Sequence, residues 1–594
     1  MCGISVIINK KGKEITRNQI QTLNEPITHR GPDGAGIFLN QNVGLGHRRL
    51  SIIDTDQHSN QPLHKGDHAI VFNGEIYNYI EIRDELISKN ARFSTNSDTE
   101  VLLQAFLVWG KSFVHKLRGM WSFCIYNKKA NTLFLCRDRF GIKPLYYYED
   151  RNEHIFVSEI KQIIKYKGRL EPSLETITAF LQLGLVEFSQ NTFFEKVKKI
   201  LPGHYLEIDC NNNGISTTQF YNLNRFELDK QRKLDIDEFE EKFQHTCQLH
   251  LRSDVPVANL CSGGIDSSLT SLYTIKDYGD NKLNLITLIT NEAETDESYF
   301  AKKIASKYSC NWIPVEINKT NLFDKIDKIA WQIEEPFLTE STIVQYEIYN
   351  AARENSFKVV IDGQGADEIL LGYERYLYIT QNESFMKMIL NGGISEIARQ
   401  TDNSLYHCLC SSLYFKSKII RKYKYIISNF YYSRGAYKKH SSLFLDPHDV
   451  DFNSSTLQLS EIEKYQLPKL LKYADSTSMG NSVESRVPYL DHLFVEYCLS
   501  LDLDEKINKY WTKYPLRLLL SKNGFDEIAW RRNKLGLAAP KGRKNSDRHM
   551  QLQTILDSKI VNEIINKRKI NKNLPEPMLW KLFILSKWES LFIT

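Results

Sequence analysis

The sequence lacks the long apolar segments that a membrane span requires. No uninterrupted apolar run approaches the roughly 20 residues of a spanning helix, and residues 1–3 do not open a charged region followed by a long apolar core, as a secretion signal does. The ten cysteines are scattered, without paired CxxC motifs. We therefore expect a cytoplasmic protein whose thiols are reduced.

A strong net charge is absent as well. Lysine and arginine exceed aspartate and glutamate by only five charges over 594 residues, which is too few to indicate nucleic-acid binding. The charged and hydrophobic fractions, 25% and 42%, are those of an ordinary globular protein. The length is sufficient for two or more domains, each with its own core.

What the sequence does contain is a glycine loop between a short strand and a helix. Residues 255–258 predict a buried strand, residues 267–273 predict the first turns of a helix, and between them stands Ser-Gly-Gly-Ile-Asp-Ser, residues 262–267. The glycines let backbone N–H groups approach a ligand, and the helix N-terminus adds roughly half a positive charge. The loop therefore predicts an anion site. It has no lysine and no GxxxxGK[ST] pattern, so it is not a Walker loop.

This loop resembles the pyrophosphate loop of the ATP pyrophosphatase superfamily, whose members split ATP into AMP and pyrophosphate to adenylate a substrate. Two further predicted strands, 283–289 and 358–361, alternate with helices, which is typical of an α/β domain with a parallel sheet. Ligands bind such sheets at the carboxyl ends of the strands. The resemblance implies that residues at these ends bind ATP and pyrophosphate, namely Leu260, Ser262, Gly263, Gly264, Asp266, Ser267, Ile289, Asp362 and Gly363.

Two carboxylates in these loops, Asp266 and Asp367, form the predicted Mg²⁺ pair. Oxygen ligands of this kind suit a hard cation that bridges to phosphate. The alternative is that both are solvated loop carboxylates without a ligand.

Five short motifs occupy the first two hundred residues, after a cysteine at position 2. They are HRGPDG at 29–34, LGHRRLSIID at 45–54, FNGEIYN at 72–78, SDTE at 97–100 and RDRFGIKPLYY at 137–147. We expect the second to place its basic pair before an alternating strand, and the fourth to open a helix with Ser97 as its N-cap. Taken singly, each motif also fits a tight turn, a capped helix or a solvated strand.

Together and in this order, the motifs resemble the class II glutamine amidotransferase domain. Its fold is an N-terminal-nucleophile sandwich (αββα), two antiparallel sheets between helical layers. The resemblance makes Cys2 the nucleophile, activated by its own α-amine once Met1 is removed. It implies that Asn73 and Gly74 hold the oxyanion. It also implies that the substrate glutamine is bound by Arg49 at its α-carboxylate and Asp98 at its α-amine, with Asn73 and Glu75.

Later segments extend this resemblance over the whole chain. Residues 471–491 and 530–537, with the glycine loop, are similar to the glutamine-hydrolysing asparagine synthetase family. The similarity implies that Lys534 contacts phosphate and the adenylate and that Arg486 lies near the active site. One position departs: some members carry glutamate, with a role near the incoming ammonia, where this chain has Gln364, which cannot act as a base.

The resemblance implies two domains, a glutaminase domain at residues 2–215 and an ATP-dependent synthetase domain of the adenine nucleotide alpha hydrolase-like type at residues 236–594, with a polar linker at 222–236. Its implied reaction is glutamine hydrolysis at Cys2, passage of ammonia inside the protein, and amidation of an aspartyl-adenylate made from ATP and L-aspartate. The expected partners are glutamine, aspartate, ATP and Mg²⁺, and we expect neither nucleic acid nor a membrane span. The sequence leaves open whether the protein forms a homodimer.

Two alternatives remain at this point. The same chemistry could act on another carboxylate, such as a uronic acid of a surface polysaccharide, because a long insertion near 380–460 could line the acceptor pocket differently. A non-catalytic paralogue that acts as a binding module is the second alternative. Within the insertion, residues 416–440 mix basic and aromatic residues with no acid. We expect a solvated helical insertion there rather than a contact with RNA or an anionic membrane.

Overall fold

The structure is a computed structural model. It describes residues 2–223, 232–278, 283–289, 296–317, 323–379, 385–421, 423, 454–532, 545–564, 570 and 574–594. The predictions for Lys534 and for most of the basic aromatic stretch at 416–440 lie outside these residues.

Two six-stranded antiparallel sheets form the first part of the chain. Their strands are β1 (Gly3–Asn9), β2 (Gly34–Asn40), β3 (Val43–Arg49), β4 (Leu63–Lys65), β5 (His68–Ile76), β6 (Gly119–Asn127), β7 (Thr132–Arg137), β8 (Tyr146–Glu149), β9 (Glu153–Val157), β10 (Val197–Lys199), β11 (His204–Asp209) and β12 (Gly214–Gln219). The strand orders are β10-β8-β9-β1-β3-β2 and β12-β11-β7-β6-β5-β4. The β11–β12 hairpin confirms the turn predicted at residues 211–214.

Helices cover the outer faces of these two sheets. The helices of this part of the chain are Arg17–Asn24, Tyr79–Ser88, Asp98–Trp109, Ile160–Lys167 and Leu174–Leu183. Successive residues of β1 show the layering, since side chains alternate between the faces of a strand. Val6 joins the core between the sheets, and Ile7 joins the core under the helices. The predicted αββα sandwich is confirmed.

A five-stranded parallel sheet organises the second part of the chain. Its strands are β13 (Val257–Leu260), β14 (Asn284–Ile289), β15 (Asn311–Glu316), β16 (Val359–Ile361) and β17 (Glu484–Arg486), in the order β15-β14-β13-β16-β17. Every neighbouring pair is parallel, as predicted for this domain. Later strands add to one side of β13 (β14, β15) and then to its other side (β16, β17), so the direction in which strands are added reverses at β13. Open α/β sheets bind ligands at such a switch point.

Helices also surround the parallel sheet. They are Ile236–His250, Ile265–Tyr278, Ser298–Lys307, Ile326–Ile333, Ser341–Glu354, Ala366–Ile369, Arg375–Ile379, Phe385–Leu390, Gly393–Thr401, Leu405–Lys416, Ser454–Ser460, Leu467–Met479, His492–Ser500, Leu503–Lys506, Tyr514–Lys522, Asp526–Ala529, Asn545–Asp557, Lys559–Ile564 and Glu576–Phe592. None of the helices in the described ranges has the length and apolar character needed to cross a bilayer.

The last helix joins the two parts of the chain. Trp588 packs against Phe193 and Phe194, with ring centroids 5.7 and 5.2 Å apart, and its indole N–H donates to the carbonyl of Glu334 (2.9 Å). One buried apolar cluster therefore runs from the first sheet into the helices of the second part. This contact packs the two parts of the chain against each other.

Candidate active sites

Cys2 directly precedes β1, and its side chain is buried. Its backbone nitrogen donates to Oδ1 of Asn73 (3.2 Å), and its carbonyl accepts from Nε of Arg30 (3.0 Å). Burial raises the pKa of the Cys2 thiol. A buried thiol of this kind needs a nearby base before it can act as a nucleophile.

The residues predicted to hold an oxyanion lie beside Cys2 on β5. Asn73 pairs with Ser122 and Gly74 with Trp121 across the β5–β6 ladder. A Cβ atom at Gly74 would lie 2.1 Å from the carbonyl oxygen of Met120, so only glycine fits. This close approach fixes the backbone of Gly74 next to the amide side chain of Asn73.

Arg49 ends β3 and organises the loop that follows. Its guanidinium donates to the carbonyls of Ile53 (3.4 Å), Asp54 and Asp56 (2.7 Å) and to Oδ1 of Asn60 (3.0 Å). The strand predicted after the basic pair is wrong, because residues 50–54 wrap around this guanidinium instead of pairing with a neighbour.

Two buried carboxylates complete this site. Asp98 begins the Asp98–Trp109 helix, capped by Ser97 as predicted, and its Oδ2 accepts from the N–H of Ile76 (3.0 Å). Burial, with the charge of Glu484, raises the pKa of Asp98 to about 6. Burial, followed by Glu484 and Asp98, raises the pKa of Glu75 well above its usual value. A cluster of acids that resist ionisation together is suited to a positively charged group.

Arg486 supplies the positive charge that the structure places against these acids. It is fully buried, its Nη2 lies 3.7 Å from Oε2 of Glu75, and its Nε donates to Glu484 (2.7 Å). The backbone carbonyl of the same residue accepts from the N–H of Asp362 (2.8 Å), in the loop that follows β16. The strand β17 connects the two sites. The sequence did not predict this strand, because it has only three residues and two of them are charged.

The second site is a cavity of about 500 Å³ at the carboxyl ends of β13 and β16. The predicted residues that line it are Ser262, Gly264, Asp266, Ser267, Asp362, Gly363 and Asp367. Three other predicted ATP-binding residues, Leu260, Gly263 and Ile289, do not line it. Leu260 and Ile289 are the last residues of β13 and β14.

The glycine loop at residues 262–267 and a second glycine-containing loop, residues 362–365 after β16, meet in this cavity. The Ser262 and Ser267 hydroxyls are 3.0 Å apart, and the N–H of Gly264 donates to Oγ of Ser262 (3.2 Å). A Cβ atom at Gly363 would lie 3.0 Å from the backbone nitrogen of Ser267. The glycine loop also lies at the N-terminus of the Ile265–Tyr278 helix, and a helix N-terminus favours an anion, so the anion site stays a prediction.

A lysine that the sequence did not single out lies between the two predicted metal ligands. The ammonium of Lys513 contacts the carboxylates of Asp266 and Asp367, the latter at 2.6 Å. Oδ1 of Asp266 is buried and has no hydrogen-bond partner in the part of the chain that the structure describes. Two carboxylates that already hold one cation, with a free buried oxygen, fit a divalent metal ion. No motif in residues 511–517 could have indicated this position.

Other residues line the part of the cavity where an acceptor carboxylate could bind. Gln364 and Glu368 both line it, and the carboxylate of Glu368 accepts from the hydroxyl of Tyr373. Burial, with the charge of Asp367, raises the pKa of Glu368 to about 7. Gln400 and Thr401, at the end of the Gly393–Thr401 helix, show that the insertion contributes to this wall.

A buried apolar cluster lies between the two sites. It contains Met120, whose carbonyl touches Gly74, together with Ile142, and it continues to Ala366 and Ile369 just after Gln364. The cluster therefore extends through buried residues from β6, which pairs with β5 beside Asn73, to the Ala366–Ile369 helix at the wall of the cavity.

A buried ion pair also connects the two parts of the chain at Cys2. Arg30, which donates to the Cys2 carbonyl, forms a two-point contact with Asp475 (2.9 and 3.3 Å) and a third contact with Glu159 (2.9 Å). Asp475 belongs to the Leu467–Met479 helix of the second part. The position of Cys2 thus depends on a residue far away in sequence.

We expect Asp475→Asn to lower the free energy of unfolding by about 3 kcal/mol, because it leaves Arg30 buried with a single acid. Glutaminase activity is expected to fall with it. Urea denaturation and glutamate release measure the two effects. Asp237→Asn is the control, since Asp237 pairs with Lys522 at the surface, where such pairs contribute about 0–1 kcal/mol. Equal stability of the two variants would contradict the assigned role of Asp475.

Family models match both parts of the chain. One described as glutamine amidotransferase domain matches residues 1–221, and one described as asparagine synthase matches residues 238–590. The chain is 28% identical to asparagine synthetase (glutamine-hydrolyzing) 1 of Bacillus subtilis, covering 100% of this chain and 97% of that protein. It is also 28% identical to asparagine synthetase (glutamine-hydrolyzing) 2 of the same organism, over 88% and 70% of the two chains. Amidase chry2 of Gibberella zeae is 28% identical over 89% and 87%.

The fold and the paired sites define a glutamine amidotransferase joined to a ligase. The chain belongs to the asparagine synthase family, and it is an enzyme of the glutamine-dependent carbon–nitrogen ligase type.

Proposed function

We propose that this protein makes L-asparagine from L-aspartate, glutamine and ATP, releasing AMP and pyrophosphate. The single observation that carries the proposal is that one chain combines a cysteine–asparagine site with a glycine-loop cavity, and that a buried apolar cluster extends from the strand beside Asn73 to the cavity wall. A protein that only binds a ligand does not need a buried path between two sites. An enzyme that moves ammonia between two sites needs it, because ammonia that meets water is protonated and is then no longer a nucleophile.

At the first site, the Cys2 sulfur attacks the carboxamide carbon of glutamine. The α-amine left after removal of Met1 takes the thiol proton and delivers it to the leaving ammonia. The side chain of Asn73 and the N–H of Gly74 stabilise the oxyanion. Water then hydrolyses the thioester to glutamate. Arg49 binds the α-carboxylate of glutamine, while Glu75 and Asp98 bind its α-ammonium.

At the second site, backbone N–H groups of residues 262–267 and the helix N-terminus bind the β- and γ-phosphates that leave as pyrophosphate. The acceptor carboxylate attacks the α-phosphorus, which forms an acyl-adenylate. Asp266 and Asp367 would hold Mg²⁺, which supplies charge neutralisation at the phosphates. Ammonia then attacks the acyl carbon, the bond to AMP breaks, and the nitrogen loses one proton to the departing phosphate or to water. Gln364 can orient ammonia by hydrogen bonding but cannot accept its proton.

The proposal also names the carboxylic acid that accepts the ammonia. Aspartate is supported by the family and by the charged groups at the cavity, Arg517, Arg532 and Glu374, which can pair with its second carboxylate and its ammonium. A uronic acid is the other candidate, because neutral hydrogen-bonding groups, Gln400, Thr401 and Tyr510, occupy the same walls. One relative is named as an amidase, so the acceptor needs a direct test beside the family membership.

Pyrophosphate release across a panel of carboxylic acids tests the acceptor. We expect aspartate to exceed a nucleotide-sugar uronate by about 10⁴-fold in kcat/KM, since an acceptor that leaves buried polar groups unpaired is rejected by this amount. Glutamate and succinate serve as matched controls for chain length and for the ammonium. Release with the uronate but not with aspartate would overturn the acceptor. Absence of both glutaminase activity and pyrophosphate release with every acid would instead indicate a non-catalytic paralogue.

A further inference from the structure

The contact of Lys513 with the acid pair is built into the fold. The side chain is 1% exposed, and its backbone has a φ of +53°, in the left-handed region that a lysine rarely adopts. A Cβ atom at Gly372 would lie 2.0 Å from Cε of Lys513 and 2.0 Å from Oδ1 of Asp367. Glycine is therefore required next to this contact, which is not a chance pairing of surface groups.

The ammonium lies where a metal ion would need to bind. A cation that bonds to both carboxylates at about 2.1 Å sits between Asp266 and Asp367, and Lys513 contacts both of these groups. A divalent ion added there meets a second positive charge at contact distance, in a buried site where screening by water is weak. A polyphosphate brings several negative charges, to which Lys513 can then donate.

We propose that Lys513 is the resident cation of the nucleotide-free site, so that Asp266 and Asp367 take up a divalent metal only together with a polyphosphate. The inference rests on the proposed function only in that a polyphosphate binds this cavity. The order of binding follows: metal and nucleotide bind as one complex, and free Mg²⁺ does not bind the protein before the nucleotide.

The test measures metal binding, with Mn²⁺ as the probe, on the full chain without glutamine or acceptor. Calorimetric titration of the nucleotide-free protein is expected to show binding at least about tenfold tighter in Lys513→Met than in the wild type. The double variant Lys513→Met, Asp367→Asn should lose that gain, which locates the metal at this pair rather than at the surface cluster of Asp54, Asp56 and His58. Lys506→Met, which removes another buried lysine, is the control.

A second readout uses the wild type alone and does not depend on the variant folding. Mn²⁺ by itself is expected to leave the Tm unchanged, whereas Mn²⁺ with inorganic pyrophosphate raises it by several degrees, because a ligand that binds the folded state stabilises it. Tight Mn²⁺ binding to the nucleotide-free wild type, or no gain in a folded Lys513→Met, would overturn the proposal. Neither result depends on which carboxylic acid the enzyme uses, so a wrong acceptor leaves both readouts interpretable.

Discussion

Cys2→Ala is expected to lower glutamine-dependent amide formation by at least about 10³-fold while ammonium salts still support synthesis. The variant removes the only atom proposed to attack glutamine, and loss of a nucleophile costs rates of this order or more. The second site keeps all its residues, because its cavity is lined entirely from residue 262 onward. Amide formation measured with glutamine and with ammonium chloride gives the two rates.

Cys210→Ala is the matched control for this prediction. Cys210 is also a buried, free cysteine of the first part of the chain, and it lies in the core between the two sheets. Cys210→Ala should alter stability but leave the ratio of the glutamine-dependent to the ammonia-dependent rate unchanged. A folded Cys2→Ala that loses ammonia-dependent activity as well would show that the two sites do not divide the work as proposed.

Asp266→Asn is expected to reduce pyrophosphate release by about 10²–10³-fold with either nitrogen source. The change removes a negative charge that faces Lys513 and the proposed metal, at the place where charge develops on the phosphates. Glutaminase activity should persist at least in part, because Cys2 and Asn73 are untouched. Pyrophosphate release and glutamate release, measured on the same preparation, separate the two effects.

Asp277→Asn provides the comparison, since Asp277 lies on the same Ile265–Tyr278 helix but accepts from Gln244 and Gln248 away from the cavity. It should leave pyrophosphate release close to that of the wild type. Near-normal release by Asp266→Asn would show that the cation is held by other residues. Loss of glutaminase activity in a folded Asp266→Asn would indicate that the sites are coupled more tightly than proposed.

Most of the secondary structure near the sites was predictable because local rules determine it. Ser97 caps a helix, the hairpin turn follows asparagines and a glycine, and the glycine loop stands between a strand and a helix, as their local sequences indicated. The strand expected at residues 50–54 failed for a tertiary reason. The guanidinium of Arg49 takes the carbonyls that a strand would have offered to a neighbour.

The sequence by itself determined the two kinds of fold and the glycine loop between a strand and a helix, because each depends on motifs whose residues are close together in the chain. The roles of Cys2 and Asn73 stay predictions from the resemblance. Only the tertiary structure decided that Arg30 of the first part is held by Asp475 of the second, that β17 links Glu75 to Asp362, and that Lys513 lies between Asp266 and Asp367. These contacts join residues that are separated by more than a hundred positions and carry no periodic or motif signal. They depend on where the sheets and helices pack, and burial of their charges is tolerated only because the packing brings the opposite charges together.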